Sequence, residues 1–155
     1  MLLNNELEIT FPDGFIEMGP DSMAGLSFVE KGRGVCMKDE GRHIIITVGW
    51  KHIGKLAGLL LNENDLEINM ETRIRNAHTF LSYEDLGPKD IILGGEKCEG
   101  FVYGYVAKCE VKMQGESYVL RHGDILYYLH YYTRREFAFE NSSVFYSIID
   151  SAEWK

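Results

Sequence analysis

The chain has 155 residues, with 16 Lys and Arg against 24 Asp and Glu, a formal charge of −8, and 45% hydrophobic residues. That length suits a single domain over residues 1–155, and the apolar content excludes a disordered chain. Net acidity makes a poor nucleic-acid ligand, because such binding rests on neutralising phosphates, and no run approaches the roughly 20 apolar residues of a membrane span.

The charge is concentrated at the start. Residues 1–30 hold no Lys or Arg and six acids, Glu6, Glu8, Asp13, Glu17, Asp21 and Glu30, which leaves only −2 for residues 31–155. Leu7, Ile9 and Phe11 alternate with Glu6, Glu8 and Thr10. That alternation predicts a half-buried strand with one wet side, closed by Pro12-Asp13-Gly14. The acids there serve solubility, or they form a negative docking surface on which charge would speed association with a basic partner. The candidate partner-binding residues are Glu6, Glu8, Asp13, Glu17 and Asp21. The start has neither the basic residues nor the apolar run of a secretory signal, so a cytoplasmic location is expected.

A short helical turn after Pro20 and a strand near Leu26 to Val29 are expected next. Val35 to Lys38 and Arg42 to Trp50 read as two strands around Asp39-Glu40-Gly41. Ile44, Ile46, Val48 and Trp50 share one face and Ile45 and Thr47 the other, a pattern that asks for cover on both sides. Residues 53–61 form a short apolar segment, a helix weakened by Gly54 and Gly58. A clearer helix follows, with Asn64 as cap, Glu67 three residues on, and Leu66, Met70, Ile74, Ala77 and Leu81 on one face. Period two then returns in Ile91 to Leu93, in a long strand Phe101 to Met113, in Tyr118 to Arg121 and in Ile125 to Tyr132. Gln114 to Ser117 and His122 to Asp124 read as the turns between them. A closing helix is capped by Asn141 or Ser142 and turns Val144, Phe145, Ile148, Ile149 and Ala152 inward. Hairpins between helices imply an α+β domain around an antiparallel sheet.

The chemistry is sparse. No phosphate loop, dinucleotide fingerprint or nucleophile elbow occurs. Gly32-Arg33-Gly34 and Gly94-Gly95 read as turns. Cys36, Cys98 and Cys109 are odd in number and form no CxxC pair. Cys98 and Cys109 can pair in principle, but reduced, buried thiols are the simpler reading in a cytosolic chain. The five histidines lack metal-ligand spacing. The carboxylate pairs Glu84/Asp85 and Glu96/Glu99 read as solvated loop acids. In Tyr127 to Tyr132, alternation sets Tyr128, His130 and Tyr132 on one face. They are either a ligand-facing aromatic surface with a titratable His, or one side of a central strand packed on both faces.

Several segments resemble the PsbP/Mog-like family. Leu7 to Phe15 is similar to its opening strand, proline, turn and aromatic. Ile44 to Lys51 resembles its first long hairpin strand. Ile92-Leu93-Gly94-Gly95 with Phe101 to Tyr105 resembles its helix-to-sheet return, and Tyr127 to Tyr131 with Phe145 to Trp154 its end. The resemblance implies an α/β/α sandwich with a central, mostly antiparallel sheet flanked by helices. It also implies a role through binding, since members include a photosystem II subunit, a Ran-binding import factor, bacterial lipoproteins, effector chaperones and bacterial proteins of unknown function. The lipid-attachment Cys of the lipoproteins is missing here, which favours an intracellular adaptor or chaperone-like member.

The expectation is therefore a non-enzymatic protein-interaction module, with an unidentified protein or a second copy of itself as partner. No catalytic set, metal or cofactor is expected. The alternative is a small-ligand binder or minor enzyme using Tyr128, His130 and Tyr132.

Overall fold

The period-two patterning becomes one broad antiparallel sheet in the computed structural model, which describes residues 1–19, 33–54, 70–76, 82–107 and 109–155. Its strands are β3 (Ile16–Glu17), β4 (Gly34–Asp39), β5 (Ile44–His52), β6 (Glu84–Pro88), β7 (Ile91–Leu93), β8 (Glu96–Val106), β9 (Lys112–His122) and β10 (Ile125–Arg134). They run in the order β3-β4-β5-β10-β9-β8-β6, with β7 paired to β8. A smaller sheet joins β1 (Leu2–Leu3), β2 (Leu7–Glu8) and β11 (Glu153–Trp154) in that order. Two helices are described, α1 over 70–76 and α2 (Ala138–Asp150).

Strand alternation sorts the core. Ile44, Ile46, Val48, Tyr127, Leu129 and Tyr131 share one buried cluster with Phe145, Ile148 and Ile149 of α2. Tyr131 stacks on Phe145 with ring centroids 4.4 Å apart. The other face carries Phe101, Tyr103, Val119 and Tyr132, packed with Met70 and Ile74 of α1, and Ile45 and Tyr128 lie against them. Each fully buried aliphatic or aromatic side chain contributes about 1.5–3 kcal/mol. The strand covered on both faces is what the patterns of β5 and β10 ask for.

Some elements differ from the sequence reading. The first strand spans only Leu7–Glu8, and Asn4 and Asn5 take positive φ in the turn that folds β1 onto it, so this ladder belongs to the small sheet. The strand expected over Phe101 to Met113 is two strands, and the chain turns at 107–111 instead of at Gln114 to Ser117. There the Ala107 and Val111 backbones are bonded, with Glu110 at φ 62°. Gly115 is an interior strand residue. It lies opposite Tyr103, whose ring would stand 2.3 Å from any Cβ at that position. Gly100 lies opposite Tyr118 in the same relation. Gly94 and Gly95 make the two-residue turn between β7 and β8. β6, where only loop acids were read, is an edge strand with a bulge between Asp85 and Gly87.

Helix α2 begins at Ala138, before the expected cap. Asn141 is instead buried, its amide donating to the Arg42 carbonyl and to Thr133 Oγ1, each at 2.8 Å. The turn after Pro20, the strand near Leu26 to Val29, most of the 53–61 segment and the Asn64 cap lie outside the described residues. None of the described helices is long and apolar enough to cross a membrane.

Candidate functional site

The acids of the N-terminal segment are divided between the two sheets. On the small sheet, Glu6 is half-buried and accepts a 3.0 Å hydrogen bond from the Tyr127 hydroxyl. Burial, with the Glu6 carboxylate adding to it, pushes the Tyr127 phenol up to about 12. Glu8 faces Lys155 at 2.5 Å, and that ammonium holds the carboxyl below its usual range. On the large sheet, Asp13 before β3 and Glu17 within it are exposed, β3 being the end strand of the described order. The Asp13 carbonyl accepts from the Arg42 guanidinium at 3.2 Å, which leaves its carboxylate outward. The same guanidinium pairs with buried Asp39, which ties the 12–15 turn to the β4–β5 turn. Ile16, between the two acids, is 60% exposed. Asp21 lies outside the described residues.

The three aromatic-face residues are placed against the second core. His130 is 1% exposed and Tyr132 9%, while Tyr128 is half-buried. Ser117 Oγ lies 2.7 Å from His130 Nδ1. Burial, with the Arg73 charge on α1 added, drives the imidazole down to about 3, so it is neutral at physiological pH. Burial likewise raises the phenol of Tyr132. A neutral, hydrogen-bonded His in such a setting fixes a rotamer; it does not shuttle protons at pH 7.

Several other titratable groups are engaged in local pairs. Lys89 Nζ sits 3.0 and 2.9 Å from the two oxygens of buried Glu116, which also accepts from Tyr118 at 2.5 Å. His122 bonds Glu96 at 2.8 Å and stacks on Trp154 at 3.9 Å. Glu84 pairs with Arg135, and Asp85 Oδ1 accepts from the Gly87 amide. Cys36 and Cys98 are buried, and burial moves the Cys36 thiol to about 11; Cys109 is exposed. Among the described residues no group of three His, Cys, Asp or Glu is placed to hold a metal ion.

Sequence reading missed one feature. A cavity of about 430 Å³ lies at the strand ends beyond α1, with Lys38, His43, Ile45, Cys109, Met113 and Arg134 among its walls. Register is what assembles it. Lys38 pairs with Ile45, Ile45 with Tyr132, and Arg134 with Met113, so residues about 100 apart in sequence meet on one face. No local motif announces such a row.

No family model matches the sequence, and no curated protein matches it. Solved structures do. Cyanobacterial PsbP (CyanoP) from Synechocystis sp. PCC 6803 is 14% identical, over 97% of this chain and 93% of its own, with a TM-score of 0.66. LpqN, involved in cell envelope biogenesis of Mycobacterium tuberculosis, is 10% identical over 96% of this chain and 83% of its own, at 0.60. A Bacteroides thetaiotaomicron structure is 7% identical, over 96% of this chain and 45% of that one, at 0.58. Identities this low speak to fold, since one fold hosts many functions. The chain thus has a PsbP-like fold, a mostly antiparallel sheet with helices packed on it.

Proposed function

We propose that this domain is a cytoplasmic, non-enzymatic protein-interaction module, adaptor or chaperone-like, of the PsbP/Mog-like α/β/α sandwich type. The observation that carries it is the exposure of Ile16, Glu17 and nearby Asp13 at end strand β3. Exposed apolar and acidic residues together on an end strand offer a small recognition surface. The partner it fits is basic, and the acids would act on its rate of association and on its selection. The sandwich reading is supported by α2 on one face of the sheet and α1 on the other. The binding role is supported by how firmly buried His130 and Glu116 are engaged with Ser117 and Lys89. A second copy of the chain is one candidate partner, which sedimentation of the purified protein tests.

Co-purification from native lysate tests the surface. A basic protein retained by the wild type, lost with Asp13→Lys/Glu17→Lys and released by salt supports the reading. Retention unchanged by the double reversal, or no basic partner at all, contradicts it.

A further inference from the structure

The cavity beyond α1 has a composition the protein-binding reading does not use. Its lining joins the apolar Ile45, Val111 and Met113 to two cations of different type, Lys38 and Arg134, with Glu40 and His43 beside them. About 430 Å³ lies within the range of small-molecule sites. Both cations are available to an incoming anion. Lys38 is 34% exposed and its carboxylate partner, Glu40, 72% exposed. Arg134 is 38% exposed and meets Glu136, 64% exposed, only at 3.9 Å. Ion pairs this open are worth about 0–1 kcal/mol, so a ligand carboxylate replaces Glu40 and Glu136 at little cost. Apolar lining selects an alkyl chain; two cations in the same lining select a carboxylate, which Arg can hold in bidentate fashion.

We propose that this cavity binds an amphipathic monocarboxylate of the medium-chain fatty-acid class, its chain on Ile45, Val111 and Met113 and its carboxylate between Lys38 and Arg134. Cys109 lies in the wall and is exposed, whereas Cys36 and Cys98 are buried, so a thiol reagent reads occupancy at this one position.

The test uses the full chain with decanoate, decanol and inorganic phosphate as separate probes, followed by calorimetry and by the rate at which a disulfide reagent labels Cys109. The expected result is saturable decanoate binding that slows Cys109 labelling severalfold. The Lys38→Met/Arg134→Met variant should weaken decanoate at least tenfold, and Met113→Gln should weaken both decanoate and decanol. Circular dichroism checks that each variant is folded. Phosphate binding as well as decanoate, decanol binding as tightly as decanoate, decanoate affinity unchanged in the double variant, or no protection of Cys109 would each overturn the proposal.

Discussion

Individual residues here are held by contacts that predict their own failures. His130 is buried neutral, with its folded pKa depressed from 6.5 to about 3 by burial and by Arg73. As pH falls below 6.5 the unfolded chain takes up the proton first, so stability drops, by at most about 1.4 kcal/mol per pH unit. Denaturant unfolding at pH 7 and pH 5.5 should show this loss in the wild type and a smaller one in His130→Gln, whose amide still reaches Ser117. Equal losses in both would contradict the assignment. At Gly115 the Tyr103 ring occupies the space of a side chain. Gly115→Ala should cost about 1–3 kcal/mol, the range for overpacking a filled core, whereas Gly95→Ala, with nothing within 4 Å but a positive φ, should act through backbone strain alone. A thermal melt of Gly115→Ala that matches the wild type would contradict the packing described.

At the scale of elements, the strongly periodic strands were legible, as were the turns at 39–41, 94–95 and 122–124, but not the one between β8 and β9. β5 and β10 alternate apolar residues on both faces, and the structure covers both. The β8–β9 turn was misplaced because Gly115 reads as a turn residue when only the local sequence is visible. Its need is tertiary, a ring from the neighbouring strand. β6 was missed because an edge strand needs no alternating face and here holds Gly87 and Pro88. Asn141 reads as a cap by type, yet it joins α2 to Arg42 and Thr133. Asn141→Ala should therefore lower stability by about 1–3 kcal/mol, the cost of stranding buried partners. A cap-only role would cost typically about 1 kcal/mol and would leave the β4–β5 turn unaffected. Amide exchange in the 40–43 turn separates the two, accelerated if the tertiary bonds matter and unchanged if only a cap is lost.

Over the whole molecule, the uneven charge takes a more definite form. Six acids without a base at the N-terminal end suggested one acidic surface, but the fold divides the four that are described. Glu6 serves Tyr127 and Glu8 is matched by Lys155, whereas Asp13 and Glu17 stay outward beside Ile16. Composition could register the excess of acid but not its distribution, since the pairing of β2 with β11 brings Lys155 from the far end of the chain. The cavity lined by Lys38, Ile45, Met113 and Arg134 is legible only in three dimensions, for the same reason. In the proposed role, Asp13 and Glu17 belong to a recognition surface for a basic partner. The most direct measurement is the association rate of a co-purified basic partner with immobilised wild type and with Asp13→Lys/Glu17→Lys at several salt concentrations. The claim predicts about tenfold slower association for the variant at low salt, with the two rates converging as salt rises. Equal rates at every salt concentration would contradict it.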